Sequence, residues 1–135
     1  MANWCGTARS NYFKVRDIKN FSAFMKQLPN MVAEYIVGDN TWWIHGNDDN
    51  GGFDWTIYDE NFEPDTSVDA MSEFASHLQE GEVAIFFEIG SEKLRYITGY
   101  STAIAWNGEI TTINLNDIYD LVAKKYNIKP NLAEY

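Results

Sequence analysis

The sequence predicts an α+β fold, in which one antiparallel sheet carries about three helices packed mainly on one face. Three observations favour this class. Stretches with apolar residues at helical spacing are interspersed with short runs that alternate in polarity, as half-buried strands do. The most β-rich region contains Asn107-Gly108, a dipeptide typical of tight hairpin turns. The 135 residues fit one domain, 1–135, without repeat or linker, and a ferredoxin-like arrangement is one version of it.

The first helix is expected after a strand over 11–16. Asp17 can cap this helix, which is predicted over 18–28, and Pro29 closes it. Its apolar residues share one face and should pack on the core. They are Ile18, Phe21, Phe24, Met25 and Leu28.

Three further strands are expected before the second helix. The turn-forming residues 38–40, Gly-Asp-Asn, predict a hairpin between strands over 31–37 and 41–45. Over 53–58 large apolar residues alternate with mostly polar ones, which predicts a half-buried strand.

The second helix is predicted over 67–79. Asp65 or Thr66 would cap its start, and Gly81 would end it. Its apolar residues should face the core, and they are Met71, Phe74, Ala75 and Leu78.

The C-terminal part predicts three consecutive strands and a last helix. Strands are expected over 82–89, 94–106 and 109–115, with turns at Gly90-Ser91 and at Asn107-Gly108, where both residues accept positive φ. The helix should start at residue 116 or 117 and run to about 126, with basic residues at its C-terminal end. Its apolar stripe is Ile118, Leu121 and Val122, and its basic residues are Lys124 and Lys125.

Composition favours a protein of a reducing, cytoplasmic compartment. No run of about 20 apolar residues is present, so no segment is expected to span a membrane. The N-terminus lacks the basic start and apolar stretch of a signal peptide. A single cysteine, Cys5, excludes an internal disulfide, which agrees with a reducing compartment.

Charge is distributed unevenly along the chain. Twenty acids and ten bases give a net charge of −10. Residues 27–92 contain 15 acids and no Lys or Arg, although the average density predicts about 5 bases there. Such a field repels DNA, RNA and anionic membranes, and it favours a basic partner.

The densest acidic region supplies the candidate partner-binding residues. If its acids share one face, the surface could approach the charge density of nucleic acid; the alternative is ordinary acidic solubilisation. The nine acids are Asp48, Asp49, Asp54, Asp59, Glu60, Glu63, Asp65, Asp69 and Glu73. Trp42 and Trp43 join these candidates, because one of two adjacent strand residues must face away from the core.

No catalytic residue, cofactor or metal site is predicted, and the chain is not expected to be an enzyme. Cys5, His45 and His77 are expected to be structural or surface residues. The loop at 48–52 invites a calcium interpretation, but the EF-hand spacing fails at its fifth, sixth and twelfth positions. An irregular cation site there stays an alternative. The sequence contains no glycine-rich phosphate loop and no zinc-ligand spacing.

Two stretches resemble a known group of proteins. They are Asn-Trp-Cys-Gly-Thr-Ala-Arg-Ser-Asn-Tyr-Phe at 3–13 and the region from Glu80 to Tyr100, continued by residues 115–119. Together they resemble small uncharacterised proteins carried by phages, prophages and plasmids. The N-terminal stretch is also similar to a prophage family with a ferredoxin-like domain. The resemblance implies a mobile-element origin, and with it the cytoplasm of a bacterial host, but no particular chemistry.

These observations favour a non-enzymatic inhibitor of a bacterial defence system, of the anti-CRISPR or anti-restriction type. Its partner would be a basic nucleic-acid-binding host protein or complex, which it would bind through its acidic surface without contacting nucleic acid. One alternative is an accessory protein-interaction module without mimicry, with an aromatic interface around Trp42 or Trp43. Another is a small cation-dependent enzyme.

Overall fold

The computed structural model describes residues 4–46, 52–92 and 96–133. Its elements in chain order are β1 (Trp4–Ser10), α1 (Ile18–Met25), β2 (Met31–Ile36), β3 (Thr41–Gly46), α2 (Ala70–His77), β4 (Val83–Glu92), β5 (Tyr96–Ala105), β6 (Ile110–Asn114) and α3 (Asp117–Tyr126). The strands form one antiparallel sheet in the order β2-β3-β1-β4-β5-β6. The predicted α+β class is therefore confirmed. Because β5 and β6 extend the sheet beyond β4, the finer ferredoxin-like arrangement stays a prediction.

The two faces of the sheet differ in what covers them. Successive strand residues point to opposite faces, and on one of these, the covered face, Ile44, Phe86 and Ile104 are buried. Helices α1 and α2 pack there, with Phe21 and Phe74 in the same core cluster. The opposite face carries the alternate residues and is called the open face below.

Helix α1 follows the prediction closely at its start. The carboxylate of Asp17 accepts a hydrogen bond from the backbone N–H of Asn20, as an N-cap does. The helix ends at Met25 instead of residue 28, although Leu28 is still buried beneath it. Ile18 was expected in the core but is 46% exposed, because it occupies the first turn at the edge of the helix layer.

The first strand lies earlier than predicted. Residues 11–16 form only isolated bridges, and β1 occupies 4–10. Directly after β1, Asn11 Nδ2 donates to the carbonyl of Val83 and Asn11 Oδ1 accepts from the N–H of Ile85. Small residues such as Gly6 and Ala8 carry no alternating apolar pattern, so this strand forms through pairing with β4.

The segment 53–58 is extended but pairs with no strand, so the strand predicted there is wrong. The alternation still predicts which side chains face inward, because Phe53, Trp55 and Ile57 pack on the core over the covered face. Its backbone is held by the carboxylate of Glu88 at Phe53 N (2.5 Å) and by the carbonyl of Gln27 at Tyr58 N (2.9 Å).

Several predicted boundaries near the second helix and the β4–β6 meander need correction. Helix α2 starts at residue 70 with Asp69 as N-cap and ends at His77, so Gly81 (φ +88°) serves the turn into β4 instead. The turn predicted at Gly90-Ser91 is wrong, because both residues continue β4 in pairing with β1 and β5.

The β5–β6 hairpin has a three-residue loop. Ala105 N donates to the carbonyl of Glu109, and Gly108 N donates to the carbonyl of Ala105. Of the two residues expected to adopt positive φ, only Gly108 does, at +92°. This pattern is that of a type I turn followed by a left-handed glycine, in place of the expected two-residue turn.

Helix α3 has the predicted position but not the predicted packing. None of its residues is buried, and Ile118 and Leu121, expected to face the core, are 55% and 61% exposed. Only α1 and α2 pack on the covered face. Within the described ranges no helix is long and apolar enough to cross a membrane.

Candidate functional site

Seven of the nine candidate acids lie in one continuous segment, 54–73, called the acidic segment. It runs from the extended stretch over the covered face, through a turn at 58–64, into the first turn of α2. Its position is set by aromatic anchors: Trp55 packs edge-to-face on Phe74 (5.6 Å between ring centroids) and on Phe86 (5.0 Å). Asp48 and Asp49 lie outside the described residues, as does most of the loop considered for a cation.

Four carboxylates of the acidic segment hold its backbone in shape. Asp59 Oδ1 accepts from the N–H groups of Asn61 and Glu63 at 2.9 and 3.0 Å, which closes the 58–64 turn. Asp65 Oδ1 accepts from the backbone and hydroxyl of Ser67. Asp69 caps α2, and Asp54 accepts from the side chain of Asn30 and the backbone of Thr56. These acids therefore have a structural role as well as a charge.

These hydrogen bonds favour the ionised form of two of the carboxylates. Donation by the hydroxyl and N–H of Ser67 lowers the pKa of Asp65 below its usual value. The pKa of Asp54 is lowered as well, first by Thr56 and then by the amide of Asn30, although partial burial acts in the opposite direction. Both residues carry a full negative charge at neutral pH.

Glu60, Glu63 and Glu73 complete the segment and differ from the other four. All three are exposed, and no side-chain hydrogen bond of theirs is found within the part of the chain that the structure describes. Across those same residues the only ion pair within 4.0 Å joins His45 and Glu34. No described Lys or Arg therefore neutralises the acidic segment at contact distance.

Glu88 connects the acidic segment to the sheet. It is the only charged side chain among the buried described residues, at 8% exposure on the covered face of β4. It accepts a hydrogen bond from the N–H of Phe53, at the start of the extended stretch. Burial raises the pKa of this carboxyl, and the Phe53 hydrogen bond opposes that rise.

The two candidate tryptophans point to opposite faces, as two neighbours on a strand must. Trp42 is 7% exposed and packs edge-to-face on Phe21 (5.0 Å) in the core, so its side chain is not accessible to a partner. Trp43 lies on the open face, where it is half-buried. Only Trp43 keeps the accessibility that a direct partner contact needs.

Trp43 belongs to a small cluster of polar and aromatic groups on the open face. The guanidinium of Arg9 lies over its ring, 4.7 Å from the centroid, and 5.6 Å from the ring of Tyr12. His45 is 5.1 Å from Trp43 between ring centroids; its Nδ1 donates to the Gly46 carbonyl, and its Nε2 lies 3.2 Å from a Glu34 oxygen.

The residues considered for catalysis are separated in the fold. Cys5 is exposed on β1. Arg9 lies four positions further along the same strand and pairs with His45, so the rise of a strand places Cys5 about 13 Å from the Arg9–His45 pair. His77 lies in the helix layer, stacked 4.9 Å from Phe24, and burial lowers its pKa while Glu73 opposes this. Among the described residues no three His, Cys, Asp or Glu side chains are grouped to hold a metal ion.

The sequence interpretation missed the apolar residues of the open face. Phe87, Ile89, Ile97, Ile113 and Leu115 are each more than half exposed there. A signal was present: 83–89 is apolar at nearly every position, which is typical of a strand covered on both faces.

Comparison with known proteins returned no match: no family model, no curated protein and no solved structure resembles this chain at a significant level. Function is therefore inferred from the chain's own residues.

Proposed function

We propose that this chain is a non-enzymatic inhibitor that binds a basic nucleic-acid site of a host defence protein through its acidic segment. The observation that carries the proposal is the set of seven carboxylates on the locally braced backbone at 54–73, five of them exposed, which no described Lys or Arg neutralises at contact distance. The mobile-element resemblance of 3–13 and 80–100 supports the same class of protein by analogy.

Bracing of the acidic segment favours binding because the backbone that carries the charges needs little further ordering. The Tyr58–Pro64 bridge and the Asp59 hydrogen bonds hold the turn that carries Glu60 and Glu63. Immobilising a flexible side chain or loop on binding costs affinity, so a braced carboxylate array loses less. An ionised array also raises the association rate with a basic channel, and this effect weakens as salt is added.

Glu60, Glu63 and Glu73 provide the sharpest test, because changing them leaves the described backbone-bracing hydrogen bonds intact. The triple reversal to Lys should slow association with a purified restriction or CRISPR effector by at least about tenfold at low salt. The measurement is surface-based binding kinetics with the immobilised effector, repeated with a short DNA duplex as competitor. The wild-type chain and DNA should exclude each other.

A matched control reverses three exposed acids elsewhere: Asp39, Glu80 and Glu109. The control changes the net charge by the same amount but leaves the acidic segment intact, so its association rate should stay much closer to that of the wild type. Equal loss in both variants would show that only total charge matters. Undiminished binding of the first variant, or simultaneous binding of DNA and the chain, would contradict the proposal.

A second candidate function is an accessory protein-interaction module. The half-buried Trp43 with Arg9 and Tyr12 on the open face favours it, since Trp, Tyr and Arg are the residues enriched at binding hot spots. Binding through this cluster would persist at high salt and fall on Trp43→Ala. Binding through the acidic segment would instead fall at high salt and persist in the Trp43→Ala variant.

A further inference from the structure

Two apolar surfaces of this chain are left uncovered by the residues that the structure describes. One is the open face across β4, β5 and β6. The other is the stripe of α3 and the tail that follows it, with no buried residue in the helix. The exposed residues of the sheet are Phe87, Ile89, Ile97, Ile113 and Leu115, and those of the helix and tail are Ile118, Leu121, Tyr126, Ile128 and Leu132.

The connection between the two surfaces is short and fixed by hydrogen bonds. Only Leu115 and Asn116 separate β6 from α3. The helix start is tied to the strand end, because Asn114 N donates to Asp117 Oδ2 at 2.8 Å and Ile118 N donates to the Leu115 carbonyl. The tail then returns along the helix, where Ala133 N donates to the Tyr119 hydroxyl. Residues 117–133 are therefore linked to one another, and five of their large apolar side chains remain more than half exposed.

The combined area is sufficient for a stable interface. Each of the ten residues is about half exposed, and half the surface of a large apolar or aromatic residue is on the order of 100 Å². Together they present about 1,000 Å², compared with about 800 Å² that each partner contributes to an interface of standard size.

Charge also permits a second copy of this chain as the occupant. The open-face positions of β4, β5 and β6 carry no charged residue within the described strands. Helix α3 has two acids and two bases, so it is neutral. The acidic segment lies over the covered face, on the other side of the sheet. Two copies, each of charge −10, can therefore meet here without bringing acids together.

We infer that two copies form a two-fold dimer in which α3 of each copy packs on the open face of the other. The shape of the open face agrees with this arrangement of the two copies. A groove of about 330 Å³ lies between the ends of β1, β4 and β5, lined by Cys5, Thr7, Ile89, Ser91, Ile97 and Leu115. It receives apolar side chains from the partner's α3, and the exchange covers both unpartnered surfaces at once. The dimer is independent of the proposed function, because it does not use the acidic segment.

The test is the molar mass by light scattering and analytical ultracentrifugation over a concentration series. The wild-type chain should show twice its 15.5 kDa mass. Ile89→Asp on the open face and Leu121→Lys on α3 each place a charge in the interface and should weaken the dimer at least about thirtyfold. Both side chains are exposed, so folding is preserved, and circular dichroism checks this.

Val37→Asp is the matched control. Val37 is 79% exposed just beyond β2, at the edge of the sheet opposite β6, so the same type of change should leave the dimer intact. Mixing the Ile89→Asp and Leu121→Lys variants should restore dimers, because the mixed pair has one undamaged helix-on-face contact and one Lys–Asp contact.

Three results would overturn the inference. These are a monomeric wild type throughout the series, a Leu121→Lys variant that stays dimeric, or a mixture that stays monomeric. The second result would indicate sheets packed directly on each other or another arrangement. The acid-reversed triple variant should still dimerise, so a failed inhibitor hypothesis and a failed dimer remain distinguishable.

Discussion

Neighbouring phenylalanines in β4 test which face of the sheet carries the core. Phe86 points to the covered face and is 2% exposed, whereas Phe87 points to the open face and is 51% exposed. Phe86 contacts three rings edge-to-face, at centroid distances of 5.1 Å to Phe53, 5.0 Å to Trp55 and 5.4 Å to Phe74. Replacing each phenylalanine by Ala removes the same atoms from two different surroundings.

The expected costs differ by several kcal/mol. A buried Phe→Ala change costs about 3–5 kcal/mol, and the three ring contacts place Phe86→Ala toward the upper end. Phe87 already exposes half its surface, so Phe87→Ala should cost only about 1 kcal/mol in the monomer. A domain has a free energy of unfolding of about 5–15 kcal/mol, so the first loss is a large fraction of the total.

Urea denaturation followed by tryptophan fluorescence measures both costs. Dilute protein reports the monomer, and the cost of Phe87→Ala should grow with protein concentration if the open face is the dimer interface. Similar losses for the two variants in dilute protein would refute the assignment of the faces. A larger loss for Phe87→Ala than for Phe86→Ala would reverse it.

Three further predictions concern a buried carboxyl, a helix cap and a close backbone contact. The raised pKa of Glu88 means that the folded chain holds this proton more tightly, so its contribution to stability is present below the usual value of 4.5 and is lost as pH rises through the raised pKa. Glu88→Gln should remove that loss and stabilise the protein at neutral pH, whereas Glu60→Gln should not, and identical pH profiles in urea denaturation would contradict this. Asp69→Ala removes the cap of α2 and should cost about 1 kcal/mol of unfolding free energy. Asn116→Ala should cost almost nothing, because Asn116 makes no side-chain cap hydrogen bond, and equal costs would count against the cap assignment. Gly46→Ala should lower the free energy of unfolding by about 1–3 kcal/mol in thermal unfolding, because a Cβ there would lie 2.8 Å from the Gly52 carbonyl oxygen. Gly38→Ala is the control, since a Cβ at that position meets nothing within 4 Å. An unchanged melting temperature for Gly46→Ala would show that the contact is not tight.

The features predicted correctly are those with a local cause. Asp17 as a helix cap, the β2–β3 hairpin turn and the α+β class follow from residues a few positions apart, whose hydrogen bonds and periodicity do not depend on the rest of the chain. The concentration of acids in the middle third is also a property of the sequence alone. Whether those acids serve inhibition stays a prediction.

Other features depend on contacts between distant residues. Strand β1 forms because Trp4–Ser10 pairs with β4, about 80 residues away, and its small residues give no pattern of their own. The segment 53–58 has the alternation of a strand, but its N–H groups at Phe53 and Tyr58 donate to Glu88 and Gln27, and it packs on the core without joining the sheet. The period of the side chains predicts which residues face inward, whereas the pairing of the backbone depends on which other segments of the folded chain lie beside it.

The amino-acid sequence by itself determined the composition of the elements, the cap of α1, the β2–β3 turn and the uneven charge. Only the tertiary structure decided which sheet face is covered, that Trp42 is buried while Trp43 is accessible, and that α3 leaves its apolar stripe exposed. The physical reason is that an apolar stripe specifies a need for burial but not the surface that meets it. Here α1 and α2 meet that need for one face of the sheet, and the open face and α3 remain for a second copy of the chain.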